Sequence, residues 1–121
     1  MSQRQERIAD EIRAALSDAV LRRMSDPRAR LTTISAVRVS TDRRHARVWV
    51  GWIGPQGGRD DAVALLNRAA GFLQREIGKT LRLKYLPRLR FFADEQEEKA
   101  ARIYEALDEI RRTEPDPEGD S

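Results

Sequence analysis

Apolar positions along this chain recur first with a helical period. Ile8, Ile12, Leu16 and Val20 lie four residues apart, and Ala15, Ala19 and Met24 widen the stripe, while arginines and acids fill the opposite face. The spacing predicts an amphipathic first helix. It should stop at Ser25-Asp26-Pro27, because the residue before a proline is pushed out of the helical region. The period then changes to two. Residues Thr32 to Ser40 are β-branched and roughly alternating, with a phase slip near Ala36 that predicts a bulge. After the polar turn Thr41-Asp42-Arg43-Arg44-His45, the residues Ala46, Val48, Val50 and Trp52 alternate with Arg47, Trp49 and Gly51. Two half-buried strands joined this closely should form an antiparallel hairpin.

Gly54-Pro55-Gln56-Gly57-Gly58 reads as a flexible connector, and Asp60 and Asp61 as the cap and first-turn acids of the next helix. Val63, Leu65, Leu66 and Ala69 carry that second helix; Phe72, Leu73, Ile77 and Leu81 carry a third. Ala69-Ala70-Gly71 lies between them, and because glycine is a poor helix-interior residue a kink or break is expected there. Pro87 opens a last strand, Arg88 to Phe92, with Leu89 and Phe91 facing inward. Asp94 with Glu97 resembles a cap leading into a final helix through Ala100, Ile103, Tyr104, Leu107 and Ile110. From Thr113 the sequence TEPDPEGDS has no core-forming residue and should be disordered. The expected organisation is one α+β domain over residues 1–112, with two layers, and an acidic tail over residues 113–121.

Composition adds a charge asymmetry. The 121 residues include 23 Lys+Arg and 20 Asp+Glu, a formal net charge of +3. Residues 1–92 hold 19 basic and 9 acidic side chains, a net of +10, and residues 93–121 hold 4 and 11, a net of −7. A basic body with an acidic tail points to a polyanionic partner. Twenty of the basic residues are arginine, which suits bidentate contacts to phosphate, although a bias toward arginine codons gives the same count. No apolar run reaches membrane-spanning length and the N-terminus lacks an apolar signal core, so the chain is expected to be cytoplasmic.

Catalytic chemistry finds little to stand on. There is no cysteine, so disulfides and thiolate metal sites are excluded. His45 is the only histidine, which leaves no His-pair metal site and no Ser-His triad. The adjacent carboxylates Asp60-Asp61 and Glu97-Glu98 suit helix starts better than acid–base work. No phosphate-binding loop or dinucleotide fingerprint occurs. The expectation is a protein that is not an enzyme, with no catalytic residues, no cofactor, no metal and no small-molecule substrate.

Between Phe72 and Phe92 the basic residues are Arg75, Lys79, Arg82, Lys84, Arg88 and Arg90, against one acid, Glu76. Arg75, Lys79 and Arg82 share one helical face if the helix persists that far, and like charges stacked there invite a polyanion. A solvated face explains any one of these residues; the cluster as a whole favours RNA. Arg43 and Arg44 at the hairpin tip form a second candidate. Trp49 lies opposite Val48 and Val50, where it could stack on a base, although packing under a helix is the commoner role.

Four places in this order resemble one family. Asp26-Pro27-Arg28 ends the first helix. Ser40-Thr41-Asp42 precedes the second strand. Ala69-Ala70-Gly71-Phe72-Leu73 joins two helices. Leu86-Pro87-Arg88-Leu89-Arg90-Phe91, running on to Asp94, enters and leaves the last strand. Their order and spacing resemble ribosome-binding factor A, from about Arg7 to about Ile110. Lys99 departs from the small residues common after the last strand of that family. The resemblance implies a type II KH-like fold, helix-strand-strand-helix-kink-helix-strand with an added C-terminal helix. Its interhelical kink would replace the GxxG loop of ordinary K-homology domains. Gly54-Pro55-Gln56-Gly57 satisfies GxxG but lies between a strand and a helix, and its proline lacks one N–H that a backbone clamp would use. The implied function is binding of immature small (30S) ribosomal subunits and help with late folding and processing of the 5′ end of 16S rRNA, by a monomer whose partners are the subunit and its rRNA. A general KH-like RNA chaperone and a protein-interaction adaptor are the alternatives.

Overall fold

In the computed structural model the first apolar stripe becomes α1, Gln3–Arg23. The structure describes residues 2–96, 103–104 and 106–110. Ser2 caps α1 reciprocally: its Oγ accepts from the Gln5 N–H at 3.2 Å, and the Ser2 N–H donates to Gln5 Oε1 at 3.0 Å. Ile12 and Leu16 are fully buried on its inner face. The helix ends at Met24, before a 3-10 turn over Pro27–Leu31. Asp26 caps this turn by accepting from the Arg28 N–H at 2.9 Å, and its carboxylate also holds the Arg28 guanidinium at 2.7 Å.

Strands β1 (Thr32–Val39) and β2 (His45–Trp52) pair antiparallel, and the register shifts between Ile34 and Ala36, so the bulge falls where the alternation slips. Their turn is crosslinked by its own polar side chains. Ser40 Oγ donates to Asp42 Oδ1 at 2.7 Å, and Asp42 accepts from the Arg44 N–H at 3.0 Å. Arg43 adopts a positive φ of 60°. The Ser40-Thr41-Asp42 motif is thus a device that aims Arg43 and Arg44.

Helices α2 (Arg59–Arg68) and α3 (Ala70–Gly78) follow, then β3 (Arg88–Ala93). β3 lies beside β2 and parallel to it, giving a three-stranded sheet of order β1-β2-β3. One face of this sheet meets the helices. Val48, Val50, Leu89 and Phe91 pack there with Leu16, Leu66, Leu73 and Ile77 in one core. The result is two layers, with helices on one side. Truncating Leu16 or Phe91 to alanine should cost about 3–5 kcal/mol, as for other fully buried large side chains.

Several expectations need correction. Neither Asp60 nor Asp61 is the cap of α2; Gly58 is, and both acids fall in the first turn, where they still face the positive end of the helix dipole. The helix pair breaks at Ala69, whose ψ of 4° leaves the helical range. Gly71 is an ordinary α3 residue, and an added Cβ would meet only Arg75 Nη1 at 3.5 Å. Phe72 is surface-exposed, and Leu81 lies beyond the end of α3. The 54–58 loop is no flexible connector. Its Pro55 carbonyl accepts from Trp52 Nε1 at 2.8 Å, and the ring lies so close to Gly54 and Gly58 that a Cβ at either would collide with it.

Glu95, Gln96 and the described residues of 103–110 are helical, and Ile103, Tyr104, Leu107 and Ile110 are about half exposed or more. Glu97, Lys99, Ala100 and the 113–121 tail lie outside the described residues. Among the described residues, no helix is long and apolar enough to cross a membrane.

Candidate nucleic-acid interface

The end of α3 decides which predicted basic residues belong together. Lys79 is its C-cap and Arg82 lies beyond it, so the anticipated face of Arg75, Lys79 and Arg82 is not built. The stop has a tertiary cause. Leu86 Cδ1 sits 2.6 Å from where a Gly78 Cβ would be, and Gln74 Nε2 donates to the Leu86 and Pro87 carbonyls at 2.9 and 3.0 Å, drawing the chain back along the helix. Lys79 Nζ pairs with Glu76 at 2.9 Å, and the Arg23 guanidinium approaches the same carboxylate at 3.8 Å. Arg75 remains exposed at the interhelical break, with its guanidinium beside Gly71.

The other predicted residues fall in two neighbouring places. Arg43 and Lys84 line one groove of about 340 Å³, with Tyr85 and Leu83 along it. Lys84 Nζ lies 5.5 Å from the centre of the Tyr85 ring, a cation–π distance. The Arg88 N–H donates to the Arg44 carbonyl at 2.8 Å, which ties the hairpin tip to the start of β3. The Ser40 hydroxyl, then the Arg44 backbone N–H, lowers the Asp42 carboxylate below its usual range.

Arg88 and Arg90 point to the outer face of the sheet, away from the helices. There the register sets Arg38 opposite Arg47, and Arg47 opposite Arg90, so three guanidinium side chains cross three strands in one row. The next row holds Trp49 and Phe92, whose ring centres are 5.9 Å apart. Arg47 lies over Trp49 and Arg90 over Phe92, each at 5.6 Å. Trp49 therefore packs against a side chain of the neighbouring strand. Arg38, Arg47 and Phe92 had not stood out in the sequence. The signal was there in part, since each arginine alternates with buried Val or Ala, but nothing local indicates that the strands align them.

Comparison with known proteins decides the family. The family model of ribosome-binding factor A matches residues 4–107. The chain belongs to the ribosome-binding factor A family. The ribosome-binding factor A of Thioalkalivibrio sulfidiphilus is 38% identical over 97% of this chain and 94% of the relative. That of Heliobacterium modesticaldum is 41% identical over 88% of each. The crystal structure of ribosome-binding factor A from Thermus thermophilus superposes with a TM-score of 0.65 at 28% identity, covering 74% of this chain and 94% of that one. A Thermus thermophilus ribosome-binding factor A model fitted into a cryo-EM map of a 30S complex gives 0.58 at 31% identity, over 69% and 88%. The fold is the KH-like α+β fold of ribosome-binding factor A.

Proposed function

We propose that this protein is a maturation factor of the small ribosomal subunit. It docks on immature 30S particles in the cytoplasm as a monomer, assists late folding and processing of the 5′ end of 16S rRNA, and catalyses no reaction itself. The observation that carries this reading is a family match spanning nearly the whole chain, in a family one of whose members has been fitted into a 30S complex.

The chemistry of the surface supports it. Arg43 and Lys84 line the groove at the hairpin tip, and the Arg44 backbone is tied to Arg88 at the start of β3. Arg88 and Arg90 line the outer groove of the sheet, and Arg75 is exposed beside Gly71, just after the break at Ala69. Such a surface docks on phosphates by releasing counterions, so its affinity should fall steeply with salt. Sedimentation tests the function. The protein should travel with free small subunits, favour immature ones, and be absent from large subunits. Equal partition over both subunits, or equal affinity for unrelated structured RNAs, would leave a general RNA chaperone. Salt-insensitive binding through an apolar face would leave a protein adaptor.

A further inference from the structure

The outer face of the sheet has a composition that stability does not explain. Side chains directly opposite on neighbouring strands are about 5 Å apart at Cβ, and like charges placed so repel. Here Arg38, Arg47 and Arg90 occupy one such row, all exposed, with His45 and Arg88 paired in the row beyond. Among the described residues none of these four arginines has an ion pair with an acid. The adjacent row holds Trp49 and Phe92, which are half-buried, packed against each other and lie under the guanidiniums of Arg47 and Arg90. An open groove of about 690 Å³ runs along β2 and β3, lined by Arg47, Arg88, Arg90 and Phe92 and reaching Asn67 at the sheet edge. The far end is acidic: Asp94 and Glu95 border Trp49 there.

We propose that this face binds a single-stranded segment of RNA, with phosphates along the Arg38–Arg47–Arg90 row and a base stacked on the Trp49–Phe92 pair. Three strands at about 4.8 Å spacing make the row roughly 10 Å wide. Fixed guanidiniums suit phosphate oxygens, and every base offers a π-face to an aromatic platform, so the contact is sequence-tolerant. The acidic rim limits the strand to one end of the sheet. That the strand is ribosomal rests on the function proposed above; the chemistry of the platform does not.

The test uses the full-length protein and a labelled mixed-sequence 12-nucleotide single-stranded RNA, with binding followed by anisotropy across a salt series. Replacing Arg38, Arg47 and Arg90 together with glutamine should lower the slope of log affinity against log salt by about 2, since each phosphate no longer neutralised takes away about 0.7. Replacing Arg4, Arg7 and Arg13, exposed on α1, removes the same charge and should leave the slope unchanged. Trp49→Leu should weaken binding about tenfold while Trp49→Phe largely retains it. Equal losses in the two triple variants would reduce the effect to net charge and overturn the platform. Failure of the wild type to bind the oligonucleotide at low salt overturns it as well. Co-sedimentation with immature small subunits separates the two proposals. Wild-type binding there with no oligonucleotide effect removes only the platform. The expected oligonucleotide pattern without subunit binding removes only the maturation function.

Discussion

Asn67 should protect the free edge of β3, and removing it gives a measurable cost. Among the described residues β3 pairs only with β2, so its outer edge offers backbone groups for pairing. From the last turn of α2, Asn67 Nδ2 donates to the Phe91 carbonyl at 3.0 Å, and Asn67 Oδ1 accepts from the Phe91 N–H at 2.8 Å. The amide thus stands in for the peptide of a missing fourth strand. Each bond contributes about 0.5–1.5 kcal/mol net, so Asn67→Ala removes about 1–3 kcal/mol. Asn67 is exposed and water can reach the freed groups, which places the loss in the lower half of that range. Alanine also gains up to about 0.7 kcal/mol of helix propensity. The expected net loss is about 1 kcal/mol, read as a lower urea midpoint at unchanged slope, with faster hydrogen exchange at the Phe91 amide. Asn67→Asp keeps the acceptor but sets a carboxylate against the Phe91 carbonyl, so at pH 7 it should destabilise at least as much. An unchanged midpoint for the alanine variant, together with an aspartate variant indistinguishable from wild type, would refute the edge-clip argument.

Three other outcomes follow from the same geometry. Gly71→Ala should stabilise by about 0.5–1 kcal/mol in urea unfolding and keep subunit binding, since Gly71 is helical and a methyl group meets only ordinary contact; destabilisation would show that the break needs glycine. Gly54→Ala should destabilise by about 1–3 kcal/mol and shift the Trp52 emission to the red, because the new Cβ displaces the indole that bonds Pro55. The Arg28 guanidinium, then its backbone N–H, holds Asp26 down at about 2 from 3.8. A depressed carboxylate contributes its stability fully above about pH 4 and loses it as pH falls toward 2. Acid unfolding of Asp26→Asn should therefore be flatter over that window than that of the wild type, and parallel curves would remove the role assigned to this pair.

Local pattern by itself determined much of this protein. The four-residue rhythm of Ile8 to Val20 specifies α1, the alternation around Val37 and Val48 specifies a hairpin, and the slip near Ala36 marks its bulge. Each follows from neighbours a few residues apart, whose directions are set by the backbone period alone. The same pattern overran the end of α3, and it located the α2–α3 joint at Ala69-Ala70-Gly71 but pointed to the glycine where the break falls at Ala69. Leu81 continues the apolar rhythm, but the helix stops at Gly78 because Leu86 packs on that glycine and Gln74 binds the returning chain, interactions that periodicity cannot represent. With that stop the expected Arg75–Lys79–Arg82 face disappears. What replaces it spans residues 38, 47 and 90, and only the placement of β3 parallel to β2 brings these arginines into one row. The sequence determined which residues of each strand face outward; strand order and register, fixed by burying Leu89 and Phe91 against the helices, decided which of them meet.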